Sequence, residues 1–145
     1  MEEVAMISST ADHQPTVCIL ANDTACSILV VDDDTMVREA TAWMLEGAGF
    51  LVHEAADGVA ALEHLVKSGP PDLVITDINM PRMDGLTLTE HVRQRWPSMP
   101  VLIVTGRPQP PGTRPYMLKP FGWDELIGAV SRLLHIDEPD FRRPD

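Results

Sequence analysis

The chain is predicted to fold as an α/β domain, a parallel sheet covered by helices on both faces. Three observations carry that prediction. Short apolar runs alternate with amphipathic stretches along residues 27–136, the pattern of strands linked by helices. Acidic residues stand at the ends of apolar runs, Asp32 after Ile28-Leu29-Val30-Val31 and Asp77 shortly after Leu73-Val74-Ile75. Strands would deliver both to one sheet edge, which in a parallel sheet is where ligands bind. Finally, 145 residues with 44% hydrophobic content suffice for one core and not for two, so a single domain is expected.

Each element has its own signal. After the first strand, Asp34 or Thr35 caps a helix that turns Val37, Ala40, Met44, Leu45 and Ala48 inward and ends at Gly49. Phe50-Leu51-Val52 is the second strand. Gly58 opens a second helix with Ala61, Leu62, Leu65 and Val66 inward, and Gly69-Pro70-Pro71 ends it before the strand that carries Asp77. Residues 85–95 form a third helix, with Leu88 and Val92 one turn apart. Val101-Leu102-Ile103-Val104 is the fourth strand and Tyr116-Met117-Leu118 a short fifth one. A closing helix over 123–134 carries the apolar stripe Leu126, Ile127, Val130, Leu133 and Leu134.

The interval between Thr105 and Lys119 is different. Its stretch 106–115 holds four prolines, Pro108, Pro110, Pro111 and Pro115, and each removes a donor and pushes its predecessor out of helical space. No regular helix is expected there. With so few apolar side chains in that loop, part of the sheet face near strands four and five should lose its cover. Residues 1–26, polar and unpatterned apart from Val17-Cys18-Ile19-Leu20-Ala21, and the charged tail 137–145 are expected to be poorly ordered extensions. There is no internal repeat.

Charge and composition narrow the function classes. Asp+Glu 22 against Lys+Arg 11 gives a net charge of -11, a surface that repels nucleic-acid phosphates and anionic lipid. No apolar run approaches the roughly 20 residues that span a bilayer. Cys18 and Cys26 lie outside the patterned region and no export leader is evident, so a cytoplasmic protein is expected. None of the five histidines has a partner at metal-ligand spacing in the sequence, and Trp43, Trp96 and Trp123 read as packing or surface residues.

The polar residues of interest follow strands one, three, four and five: Asp32-Asp33-Asp34, Thr76-Asp77-Ile78-Asn79-Met80-Pro81, Thr105-Gly106 and Lys119-Pro120. A carboxylate can attack a phosphoryl group carried on histidine, since the protein then has only to position groups and neutralise charge. Asp77 is read as that nucleophile. Converging carboxylates repel one another, and a hard divalent cation with oxygen ligands, Mg2+ by expectation, resolves the conflict. Plainer readings stand beside these. Asp32 to Asp34 can cap a helix, although three in a row exceed what capping needs, and Thr105-Gly106 can be a strand-end turn. Asp84-Gly85 is read as a turn and helix start, outside the site. Proline after Lys119 is compatible with a cis bond that aims the lysine, an isomer the sequence leaves open.

Taken in order, these stretches together with Met83-Asp84-Gly85 and Lys119-Pro120-Phe121 resemble the signature motifs of bacterial response-regulator receiver domains, over about residues 27–136. The resemblance implies a flavodoxin-like sheet of strand order 2-1-3-4-5, an order for which a receiver is one of the standard examples. It implies that Asp33 and Asp77 ligate Mg2+ by side chains, Asn79 by its backbone carbonyl, and Asp32 through water. Thr105 and Lys119 would bind phosphoryl oxygens. Tyr116 matches the family's switch aromatic, though an aromatic in a strand is ordinarily core. The chain departs from the family between strands four and five, where typical receivers place their fourth helix.

The function implied is a single-domain phosphoacceptor. It would take a phosphoryl group from a sensor histidine kinase or a histidine phosphotransfer protein and signal by protein–protein contact, with a homodimer as one option. About nine residues follow the final helix and carry no DNA-binding pattern, so neither an attached effector nor a nucleic-acid or membrane partner is expected. It would be no enzyme beyond its own phosphorylation and dephosphorylation. Two other classes compete. A haloacid-dehalogenase-like phosphatase uses an Asp-x-Asp motif after its first strand, which Asp32-Asp33-Asp34-Thr35 approaches without the expected glycine. A receiver-shaped module that is never phosphorylated would have little use for the intact acidic set.

Overall fold

The computed structural model describes residues 26–109 and 115–136. The elements are β1 (Ser27–Val31), α1 (Thr35–Gly47), β2 (Leu51–Ala55), α2 (Gly58–Ser68), β3 (Leu73–Asp77), α3 (Gly85–Arg95), β4 (Val101–Thr105), β5 (Tyr116–Leu118) and α4 (Trp123–Leu134). All strands are parallel, in the order β2-β1-β3-β4-β5. This is the flavodoxin-like, doubly wound fold the motifs implied. Among the described residues no helix stands between β4 and β5. The expected extensions, with Val17 to Ala21 and Cys18, lie outside those residues apart from Cys26, which is buried immediately before β1 and belongs to the core.

Both faces of the sheet are buried, as alternate side chains of one strand show. Ile28 and Val30 point into a core that includes Leu45 of α1, Ile75, Leu102 and Val104 of the sheet, and Leu126, Val130 and Leu134 of α4. Leu29 and Val31 point the opposite way, into a core with Ala61 and Leu65 of α2, Val74, and Leu88 and Val92 of α3. Hence β1, β3 and β4 read as unbroken apolar runs and not as alternating ones.

Local chemistry sets the ends. Asp34 caps α1, its carboxylate accepting from the N–H groups of Met36 at 3.0 Å and Val37 at 3.2 Å. Gly49, at φ 101°, makes the left-handed turn into β2. Asp57 caps α2 by accepting from Ala60 N–H at 2.9 Å, and Asp84 caps α3 by accepting from Thr87 N–H at 2.8 Å.

Four expectations need correction. Ala40 is exposed, while Thr41 and Ala42 face the core. Thr41 can be buried because its hydroxyl donates to the Val37 carbonyl at 2.9 Å, a solution that an apolar pattern does not register. Val66 is exposed, because the buried stripe of α2 is Gly58, Ala61 and Leu65 with Leu62 at its margin. The second strand begins at Leu51 and runs on to Ala55. As a sheet edge it carries exposed His53 and Glu54. The bared sheet face at strands four and five is absent from β4, which is buried at all five positions; only β5 is partly open, with Leu118 exposed.

The adjacent residues Leu65 and Val66 of α2 separate core from surface in one helix. Leu65→Ala is expected to lower unfolding free energy by about 2–5 kcal/mol. Val66→Ala should change it by less than about 0.5 kcal/mol. Urea unfolding of both variants checks the assignment.

Candidate functional site

Register brings the polar strand ends together. Val31 lies opposite Thr76, so the chain continues from β1 into Asp32 beside Asp77, the last residue of β3. Asp77 lies opposite Val104 and Thr105 opposite Leu118, so Thr105 and then Lys119 reach the same edge from β4 and β5. The Lys119 backbone N–H donates to the Thr105 carbonyl at 2.8 Å, extending the pairing past the strand. The Lys119-Pro120 peptide is cis.

At that edge Lys119 joins two acids. Its Nζ lies 2.9 Å from Asp32 Oδ2 and 3.2 Å from Asp77 Oδ2. The other oxygens are also engaged: Asp34 N–H donates to Asp32 Oδ1 at 2.9 Å and Ile78 N–H to Asp77 Oδ1 at 2.7 Å. Asp33 completes a trio with Asp32 and Asp77, with one carboxylate oxygen from each inside a 4.8 Å spread. Asp32 is buried, Asp77 half-buried and Asp33 exposed, so the trio opens toward solvent through Asp33. Thr105 is buried, and its Oγ1 accepts from Arg107 N–H at 3.2 Å, leaving the hydroxyl hydrogen to be donated elsewhere.

Burial pushes the Asp77 carboxyl above its ordinary value. Lys119 and the Ile78 N–H pull it back, and the charge of Asp32 adds to the rise. Burial alone would lower the Lys119 ammonium, but its bonds and charge contacts with Asp32 and Asp77 outweigh that and hold it above an ordinary lysine. The cluster is therefore one ammonium set against more negative charge than it neutralises. A hard, oxygen-seeking cation suits that donor set, and the residues present fit Mg2+.

Of the residues singled out from sequence, Asp32, Asp33, Asp77 and Lys119 stand together, and Thr105 follows on the neighbouring strand. Asn79 is exposed in the loop two residues past Asp77, and Tyr116 is half-buried in β5 opposite Ile103. Asp34 belongs to the helix cap.

Two residues outside the candidate set support the site. Arg38 donates to the Asp32 carbonyl at 2.8 Å and pairs with Glu54 at 3.0 Å, tying α1 and β2 to the Asp32 backbone. Gly85 is buried under Asp77: its N–H donates to the Ile78 carbonyl at 2.8 Å, and a Cβ there would run into the Asp77 carbonyl oxygen. Thus Asp84-Gly85, read as a helix start, is also the floor of the site. Two of the histidines meet in the fold. His53 of β2 and His64 of α2, separated in sequence, have ring centroids 4.9 Å apart, and burial together with the charge of His53 lowers the His64 pKa. Sequence spacing cannot reveal such a pair across two elements.

A family model, the response regulator receiver domain, matches residues 28–131. The chain is 38% identical over 121 residues to the response regulator MprA of Mycobacterium sp. (strain KMS), covering 78% of this chain and 52% of that protein. MprA of Mycobacterium leprae (strain TN) is 37% identical over the same length, 78% of this chain and 53% of that one. The chain spans about half the length of these relatives. Among solved structures, it resembles the chemotaxis response regulator CheY4 of Vibrio cholerae, with a TM-score of 0.70 and 30% identity over 76% of this chain and 99% of that one. A CheY-like receiver domain protein from Methanospirillum hungatei JF-1 gives a TM-score of 0.71 and 28% identity over 77% and 95%.

The raised Asp77 carboxyl generates a pH test with metal withheld. Its folded form keeps a proton at pH values where the unfolded chain has lost it. Stability therefore falls as pH rises from the ordinary value of 3.8 through the raised one. Asp77→Asn removes that penalty, so the variant should be more stable than the parent at neutral pH, with the difference closing as pH approaches 3.8. Denaturant unfolding in chelator across this range is the check, and a difference that ignores pH contradicts it.

Proposed function

The chain belongs to the response regulator receiver domain family, and from that premise we propose that Asp77 is its phosphoacceptor. The donor is the phosphohistidine of a sensor histidine kinase or a histidine phosphotransfer protein. The observation that carries this reading is the contact of the half-buried Asp77 carboxylate with Lys119, which also holds Asp32. Membership over residues 28–131 favours it over a dehalogenase-like phosphatase.

Transfer forms a bond between an Asp77 carboxylate oxygen and phosphorus and breaks the phosphorus–nitrogen bond of the donor. The imidazole leaves with the electron pair and takes up a proton. Ile78 N–H at Oδ1 and Lys119 at Oδ2 fix the carboxylate plane before the donor arrives, a positional contribution. As charge moves outward, Lys119 shifts from Asp77 to a phosphoryl oxygen, with Asp32 as its standing partner. The Thr105 hydroxyl donates to another phosphoryl oxygen. Side chains of Asp33 and Asp77 and the Asn79 carbonyl, with Asp32 through water, would hold Mg2+, which when bound neutralises the carboxylates and the incoming phosphoryl oxygens. Tyr116, at the far end of the β4–β5 connection, is assigned the switch role.

The chain would act on no substrate but its own phosphoryl group. Its output is contact with a partner protein or a second copy. An acidic surface of net charge -11 makes nucleic acid and anionic membranes poor partners.

Intact mass after incubation with a small phosphodonor and Mg2+ tests the acceptor. The parent and Asp34→Asn should each gain one phosphoryl group, and Asp77→Asn none; labelling of the last at the parental rate rejects the assignment. Mg2+ itself should stabilise the folded parent, by about 1.4 kcal/mol at ten times its dissociation constant. That increment should shrink in Asp33→Ala, and thermal melting with and without Mg2+ reads it independently of any change in baseline stability.

A further inference from the structure

The loop between β3 and α3 is held at both its base and its tip. At the base, Gly85 N–H closes onto the Ile78 carbonyl beneath Asp77. At the tip, Arg82 reaches back to the start of α2. Its Nε lies 2.9 Å from Asp57 Oδ2 and its terminal nitrogen 3.2 Å from Oδ1, a two-point fork on one carboxylate. Asp57 is itself fixed, being 7% exposed and bonded to the Ala60 N–H as the cap of α2. Next to it, Gly58 N–H donates to the Met83 carbonyl at 3.3 Å, and a Cβ on Gly58 would stand 2.7 Å from that oxygen. The tip therefore lies flat on the helix start with no room between.

Arg82 also sits at φ 67°, a left-handed conformation that non-glycine residues seldom take unless their surroundings impose it. The side chain is 57% exposed, so the pair adds little as a surface salt bridge. Glu63 adds a weaker attraction for Arg82 from α2. What the fork does supply is orientation, and between its anchor and Asp77 lies Asn79.

We infer that the Arg82–Asp57 pair is a positioning device for the acceptor site, setting the loop that presents Asn79 so that cation and phosphoryl group meet Asp77 in register. This rests on the reading of Asp77 as phosphoacceptor. Supporting groups outside a metal's own ligands commonly change affinity by about 10–100-fold when removed.

Three variants test it in the full chain. Arg82→Gly removes the fork while suiting the backbone to its positive φ. Asp57→Asn keeps a cap oxygen for Ala60 and loses the charge. The third combines both changes. Mg2+ titration by calorimetry and phosphodonor labelling followed by intact mass are read on protein that melts cooperatively. Each single variant should bind Mg2+ about tenfold more weakly. Each should also label more slowly than the parent at equal Mg2+. The double variant should be no worse than either single one, since the two residues act as one unit. Single variants within about twofold of the parental affinity overturn the positioning role while a labelled parent leaves the acceptor assignment standing. A parent that neither binds Mg2+ nor labels overturns both.

Discussion

Bringing one carboxylate oxygen each from Asp32, Asp33 and Asp77 inside a 4.8 Å spread concentrates like charge at one sheet edge, and the rest of the site is arranged around tolerating it. Lys119 touches two of the three, and backbone N–H groups of Asp34 and Ile78 take the oxygens turned away from it. The compensation is partial by construction. A carboxylate fully neutralised by its neighbours would be a poor nucleophile, whereas one left bare would be protonated or would push the strands apart. Burial and one shared ammonium put Asp77 between those limits.

That balance depends on backbone placement more than on any single side chain. Asp32 and Asp77 adjoin because β1 and β3 pair in one register, and the register holds because both faces of each strand are buried. A slip of one residue would send Ile28 and Val30 to the face now occupied by Leu29 and Val31, with every alternate contact exchanged. The helices contribute at their starts. Asp34 and Asp57 cap α1 and α2 and so fix the turns on which Asp33 and Arg82 depend.

Much of this was legible in the sequence because it obeys local rules. Continuous apolar runs mark β1, β3 and β4, and the acids that terminate β1 and β3 announce the site edge. Arg82 and Asp57 were not legible, since 25 positions separate them and neither departs from what a turn or a cap would use. Gly85 was half read: its place before a helix is a local matter, but its proximity to the Asp77 carbonyl depends on how the chain folds back. Thr41 was missed for a different reason, because a hydroxyl satisfied within its own helix behaves as apolar. Val66 erred in the other direction, as an apolar residue one step outside a narrow stripe.

The short chain length between β4 and β5 bears on how the domain assembles. Pairing Ile103 with Tyr116 closes 13 positions of chain, whereas pairing Ile28 with Leu73 closes 45. On a logarithmic closure law the shorter loop loses about 1 kcal/mol less chain entropy. Thr105 and Lys119, the hydroxyl and the cation of the site, thus sit at the ends of the pair of strands whose association is entropically least demanding. The acids of β1 and β3 can only meet across the longest closure in the sheet. The chain's two contributions to its own electrostatics are therefore ordered by connectivity, with the positive group built into a local unit and the negative ones dependent on the completed fold.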